Sequence, residues 1–277
     1  MKKHPLAEVF GFPADNLTPK AERYRRHKLC PYGNRVPNCT KDKADHPLGV
    51  CSIHDGDEIA ITCPIRLRQE WIIAEDAARF FFPPGTKWTS LTEVRLNDRH
   101  GKSAGNIDLV LVAYDDEGRP LDFGGLMVQA AHISGNVRRL FDCYMEVPGP
   151  SGDLDWRAER LCPRADYVVS TRKLLAPRLT AVGGILHSWG KRVAVALDRD
   201  LYESLPRFEE THRDSAEMAW LVYDVQADAF GRRYQITRYK TVYTGFRSSV
   251  DMMLKPVPGD QEDFVNILQL LMDQSAV

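Results

Sequence analysis

The first quarter of the chain carries four cysteines, Cys30, Cys39, Cys51 and Cys63, in a segment poor in apolar residues. Between Lys28 and Pro64 turn formers crowd the sequence: Pro31, Gly33, Asn34, Pro37, Asn38, Pro47, Gly49, Asp55 and Gly56. Such a stretch cannot build a core of its own and calls for a cross-link. Disulfides are disfavoured, because Met1-Lys2-Lys3-His4 leads into a segment with Pro and Asp instead of an apolar signal core, so the sequence predicts a cytoplasmic, reducing address. Four thiolates around one tetrahedral ion satisfy the need, and Cys30-Pro31 and Cys63-Pro64 read as ligand knuckles. The gaps of eight, eleven and eleven residues are longer than the Cys-x-x-Cys of a ribbon or finger. Buried structural thiols are the competing reading. Thiolate ligation selects iron or zinc without deciding between them, and four protein ligands leave no open position. A site of this kind is structural, so the chemistry belongs elsewhere.

A length of 277 residues suggests about two domains, divided here into an N-terminal four-cysteine module over 1–70 and a second domain over 71–277. With 43% hydrophobic and 27% charged residues the composition is that of an ordinary globular protein, and no apolar run reaches the roughly 18 to 20 residues of a membrane span. The net charge of −1 argues against coating nucleic acid by bulk electrostatics. Distribution says otherwise locally: from Lys20 to Lys43 eight Lys/Arg face two acids, a +6 segment that a phosphate backbone could use and that is otherwise a solvated basic face. Arg25, Arg26 and Lys28 are its central cations.

Beyond the module the periodicity changes. Trp71 to Phe82 reads as a helix stopped by Pro83-Pro84-Gly85; Leu91 to Leu96, carrying Glu93, reads as a strand. Strands over Ile107 to Tyr114 and Leu121 to Ile133 flank Asp116-Glu117-Gly118-Arg119 as a hairpin. If Glu117-Gly118 is its tip, Asp116 faces Arg119 and Asp108 faces Met127, with Gln129 on Met127's side; a bulge at Gly124-Gly125 would shift this by one. Thr171 to Trp189 predicts a helix that starts or kinks near Pro177, Arg192 to Leu197 and Ala219 to Val225 predict buried strands, and Arg232 to Phe246 one or two more. Phe264, Ile267, Leu268 and Leu271 repeat at helical spacing, as core or dimer packing. Helices alternating with strands imply an α/β fold.

An acidic residue after Gly-Asn-Ile at a strand start, with a polar group just past its partner on the next strand, is a layout for metal-dependent phosphodiester hydrolysis. The runs Gly105-Asn106-Ile107-Asp108-Leu109-Val110-Leu111, Asp122-Phe123-Gly124-Gly125-Leu126-Met127-Val128-Gln129-Ala130 and His132-Ile133-Ser134-Gly135-Asn136 resemble the PD-(D/E)xK core of NotI-like type II restriction endonucleases. Leu174-Leu175-Ala176-Pro177, the stretch Gly183 to Lys191 and Trp220 to Asp224 share that likeness, which covers roughly residues 20 to 255. The resemblance implies a mixed sheet flanked by helices, with an N-terminal metal-stapled module in which Cys30, Cys39, Cys51 and Cys63 hold iron (or zinc). It implies Asp108 as the Mg2+-binding Asp, Glu93 as the upstream acid and Gln129 where related nucleases have Lys. Cleavage of double-stranded DNA by a homodimer follows from it too, since symmetric sites match a two-fold axis.

One position departs. The family's Glu-x-Gln reads Met127-Val128-Gln129 here, and a thioether is a poor ligand for a hard, oxygen-seeking cation. The chain is then a silenced DNA-binding relative, or Asp142 or Asp122 supplies the missing carboxylate, or a bulge displaces the alignment. Arg138 and Arg139, after the Ser134-Gly135-Asn136 turn, are placed to approach DNA if that turn borders the cleft. His132 and His187 lack partners at triad or ligand spacing and read as structural or DNA-facing.

Overall fold

The cysteine segment does not fold by itself: residues ahead of the first cysteine complete it. In the computed structural model, which describes residues 4–33, 36–43, 45–146 and 162–275, β1 (Leu6–Val9), β2 (Phe12–Pro13), β3 (Val50–Asp55) and β4 (Glu58–Ile61) form an antiparallel sheet in the order β2-β1-β3-β4. Leu6, Val9, Phe10, Val50, Ile53 and Ala60 are buried in its core, so apolar burial as well as any cross-link holds the module. Helix α1 (Pro19–Arg26) starts at Thr18, whose side chain accepts from Ala21 N, with Pro19 at the position where no N–H is needed. At the centre of the sheet Glu8 and Arg66 form a fully buried ion pair, Nε to Oε2 2.9 Å. Tyr32 Oη (2.8 Å) and Ser52 Oγ (2.7 Å) donate to the same carboxylate. Arg66 also donates to Gln69 Oε1 at 2.6 Å and to Tyr234 O at 3.0 Å.

The larger sheet has six strands: β5 (Trp88–Asn97), β6 (Ser103–Tyr114), β7 (Pro120–Val128), β10 (Val193–Asp198), β11 (Met218–Ala227) and β12 (Tyr234–Thr244), in the order β12-β11-β10-β7-β6-β5. A two-stranded ribbon, β8 (His132–Ser134) with β9 (Arg164–Asp166), lies apart from it. The strand expected over Leu121 to Ile133 therefore stops at Val128, and Ala130 and Ala131 lead into the ribbon. Pairing is antiparallel at both ends and parallel between β7, β10 and β11, which is why β10 is buried along its whole length.

Two helical layers cover the sheet. Helix α2 (Ile72–Phe81) sets Ala74, Ala77, Phe80 and Phe81 against Leu109, Leu111, Leu126, Ala194 and Ala196. On the other face an unbroken helical rod over 167–188 sets Leu175, Leu179, Val182 and Leu186 against Ile107, Met127, Val193 and Val195. Pro177 neither starts nor ends it; wide π-type turns at Ser170–Leu175 and Leu179–Gly183 bracket the proline, which has no N–H to give. Between the layers Gly124 and Gly125 leave no room for a side chain: a Cβ at 124 would meet the Phe81 ring at 2.5 Å, and one at 125 would meet Leu186 Cδ1 at 2.4 Å.

Helix α3 (Val137–Glu146) packs Leu140, Phe141 and Tyr144 onto the N-terminal sheet. Of the two roles expected for the C-terminal helix Gln261–Ser275, packing in the core of the chain fails: Phe264, Ile267, Leu268, Leu270, Leu271 and Met272 are all exposed. The hairpin tip also differs, with Asp115 N donating to Arg119 O and the irregularity at Tyr114–Pro120 instead of Gly124-Gly125. Asp115, not Asp116, therefore meets Arg119, through an ion pair of 2.9 Å as well as the backbone. Among the described residues no helix is long and apolar enough to cross a membrane.

Candidate active site

Asp108 lies where the β6–β7 ladder comes apart. Pairing is regular from Ala113↔Asp122 to Leu109↔Leu126, in the register the sequence predicts, and the ladder ends there, so Asp108 and Met127 fall one step beyond its last pair. At that step β6 turns over. Leu109, Leu111 and Ala113 face α2, whereas Ile107, which strict alternation would put with them, joins the rod-side core with Val94 and Leu96. Two backbone features accompany the inversion: Glu93, between the pairs Thr92↔Leu109 and Val94↔Ile107, has φ +54°, and Gly105 has φ +131°. The Val128 N–H, left without a ladder carbonyl, donates to Asp108 Oδ2 at 2.7 Å.

A cation stands at the same oxygen. Arg178, on the rod, brings Nη2 to 2.6 Å from Asp108 Oδ2, and its Nη1 donates to Val128 O at 3.5 Å. Both side chains are partly open to solvent, 30% for Arg178 and 24% for Asp108. Met127 has no exposure and fills the rod-side core. Gln129 is buried, its N donating to Ala196 O at 2.9 Å and its Nε2 to Ala130 O at 2.8 Å. Glu93 is exposed, across the ladder from Asp108, and makes no hydrogen bond or ion pair among the described residues.

These residues do not fit a magnesium ion. Mg2+ demands near-octahedral oxygen coordination, usually through one or two carboxylates. Here the carboxylate and the nearby carbonyl both serve Arg178, and the side chain opposite is a buried thioether. Neither candidate replacement comes to the site. Asp122, opposite Ala113 and thus about 17 Å along the strand from Asp108, pairs with Lys191 at 2.5 Å. Asp142 pairs with His46 at 3.5 Å. Among the described residues no three His, Cys, Asp or Glu side chains are poised to hold an ion together.

The four cysteines are no exception, although they lie near enough to influence one another's charge. Cys30 and Cys39 flank the Leu29↔Asn38 bridge, Cys51 is on β3, Cys63 follows β4, and none is in a disulfide. Burial, with Cys63 and Cys39 adding to it against the Tyr32 backbone N–H, pushes the Cys30 thiol up to about 11. Burial, then Cys63, holds Cys51 well above its ordinary range. Lys41 reaches the same place, its Nζ donating to Val50 O (2.7 Å) and Thr62 O (2.9 Å). Four soft donors within electrostatic reach of one another are the chemistry a thiophilic ion selects, but among the described residues they are not gathered into a ligand set.

The basic segment divides into inward and outward cations. Arg25 is a correction: it is buried, its guanidinium donating to Pro13 O (2.8 Å), which also accepts from Asn16 N, and to Asn16 O (2.7 Å), so it ties down the loop before α1. Lys20, Arg23 and Arg26 are exposed, and Lys28 Nζ donates to Asp45 O at 3.1 Å. Arg138 clasps the module, bonding Asp42 Oδ2 (2.5 Å) and His46 O (3.1 Å); Arg139 begins the same helix, its N accepted by Asn136 Oδ1. His187 stacks on Phe246 at 4.8 Å, and His132 is exposed on the ribbon, its N donating to Ser170 Oγ. Two open hollows of about 540 and 520 Å3 lie around Phe82, Pro83 and Pro84, and neither is lined by Asp108.

Sequence reading missed Arg178. The signal was present: residue 178 falls on the helical stripe of Leu175, Leu179, Val182 and Leu186, where a cation needs an anion from the sheet below.

A six-stranded mixed sheet flanked by helices, with a lone acid at the split of its central hairpin, is consistent with a nuclease fold. The family model described as restriction endonuclease NotI matches residues 15–236, and the chain belongs to that family of restriction endonucleases, which implies cleavage of DNA at a specific site. A search of curated proteins gave no match.

Proposed function

We propose that this chain binds double-stranded DNA at a specific symmetric site as a homodimer, and that Met127 leaves its Mg2+-dependent phosphodiester hydrolysis silenced or strongly reduced. The observation that carries this reading is the environment of Asp108, with a buried thioether one step beyond the last β6–β7 pair and a guanidinium on the carboxylate. The proposed catalytic set is Asp108 with Glu93 as the remaining acids and Gln129 as the group that would orient water. Exposed Lys20, Arg23 and Arg26, with Lys28, Arg138 and Arg139, are the proposed backbone contacts. The bare apolar face of Gln261–Ser275, beyond the family-matched region, supports a second copy as partner. Iron or zinc at Cys30, Cys39, Cys51 and Cys63 is the proposed structural centre. Elemental analysis should find about one such ion per chain, and Cys39→Ser should unfold the N-terminal module.

A digest of DNA of varied sequence by wild type, Met127→Glu and Asp108→Ala/Met127→Glu tests the reading. Wild type is expected to cut little, Met127→Glu to raise cleavage by ~100-fold or more, and the double variant to lose it. A thermal melt accompanies each variant, because a carboxylate at a fully buried position costs a few kcal/mol. A second reading, an active endonuclease, draws on Glu93 standing across the ladder from Asp108. Strong cutting by wild type would establish it in place of the first.

A further inference from the structure

The mismatch between the site and a divalent cation has a positive side. Arg178 holds the oxygen and the carbonyl that a metal bridging Asp108 and Val128 would hold, at 2.6 and 3.5 Å. With Met127 opposite, one carboxylate faces one guanidinium, so charge there balances without a metal. Two donors are spent inside the protein; a guanidinium has five in a planar fork suited to phosphate oxygens, and this one is partly open to solvent. We propose that Arg178 is a built-in cation that grips a backbone phosphate of duplex DNA at the Asp108 site, so that this chain binds DNA there without a divalent metal. The inference rests on the DNA-binding reading and adds to it the residue and the ionic condition.

Binding of a random-sequence pool of short duplexes is measured in chelator and in calcium at fixed ionic strength, for wild type, Arg178→Gln, Arg178→Lys and Asp108→Asn. Wild-type affinity should be the same in both buffers. Arg178→Gln should bind ~10-fold more weakly in chelator, with the slope of log affinity against log salt shallower by about one. Arg178→Lys should keep most of that slope, and Asp108→Asn, which releases the guanidinium from its anion, should tighten binding in chelator several-fold. Melting curves identify any variant that fails to fold. If Arg178→Gln is lost in that way, the Asp108→Asn arm decides, and unchanged affinity there overturns the proposal. Wild-type binding that needs calcium, with Arg178→Gln equal to wild type, also overturns it while leaving DNA binding intact. No binding by any protein in either buffer would instead bring down the functional reading beneath it, and this inference with it.

Discussion

Two arginine–carboxylate pairs, Glu8–Arg66 and Asp108–Arg178, have nearly the same geometry and opposite surroundings. Glu8–Arg66 has no exposure, and its spare hydrogen-bonding capacity is filled by Tyr32, Ser52, Gln69 and Tyr234. Asp108–Arg178 keeps 24% and 30% of its side-chain surface, and among the described residues its partners beyond the pair itself are only the N–H and carbonyl of Val128. A closed, saturated pair is a structural joint that has no use for a ligand. An open pair with unspent donors can change partners, which is what a binding site requires.

The contrast is sharpest if each pair is broken in turn. Glu8→Gln strands the Arg66 charge in the interior and should lower the stability of the fold by ~3–5 kcal/mol, read as a drop in the denaturant midpoint. A smaller shift than that from Asp108→Asn would invert the comparison.

A buried carboxylate with no cation bonded to it among the described residues makes a third case. Asp198 accepts from Ile61 N (2.8 Å) and Leu201 N (2.9 Å), and burial pushes its carboxyl up to about 7 against those two bonds. The native state thus holds this proton more tightly than the unfolded chain does. Its contribution to stability is full below the unfolded value near 4 and is lost as pH rises through about 7, by up to ~4 kcal/mol. Denaturant midpoints compared at about pH 5 and about pH 8 should fall more for wild type than for Asp198→Asn. Parallel pH dependences would rule this group out as the cause.

Next in size is the pair of neighbours Arg25 and Arg26. Arg25→Ala removes two hydrogen bonds from a buried guanidinium to the loop carbonyls of Pro13 and Asn16 and should cost ~2 kcal/mol. Arg26→Ala should stay within ~0.5 kcal/mol and instead weaken DNA binding. A small effect is expected at the open pair itself too: Asp108→Asn should change stability by less than ~1 kcal/mol. A loss as large as that of Glu8→Gln would make Asp108–Arg178 a structural joint after all.

Strand rules made much of this legible. Alternation gave the register of the β6–β7 ladder as far as Leu109↔Leu126, and the continuous apolar run 193–197 announced a buried strand. Local rules failed where distant groups decide. The inversion at Glu93 and Ile107 depends on the fit of the β5–β6 end against the rod, seen at Gly105, where a Cβ would approach Val182 Cγ2 to 3.0 Å. Arg25 and Arg26 look alike in sequence, and only the carbonyls of Pro13 and Asn16 separate them. Arg178 needed its partner 70 positions away to be recognised. The exposed helix Gln261–Ser275 has the same periodicity as a core helix, since spacing records an apolar face without saying what covers it.

Gly124 and Gly125 act as a caliper. The ring of Phe81 closes on one and Leu186 on the other, so the separation of the two helical layers is gauged by the absence of two methyl groups. Leu186 and Arg178 ride on one rod, eight residues or about 12 Å apart, while Asp108 belongs to the strand hydrogen-bonded to these glycines. A Cβ at Gly125 would first have to turn aside the tip of Leu186, and whatever part of that shift the rod took up would be carried along it toward the guanidinium. The span between Asp108 and Arg178 is thus linked to a place that neither residue touches.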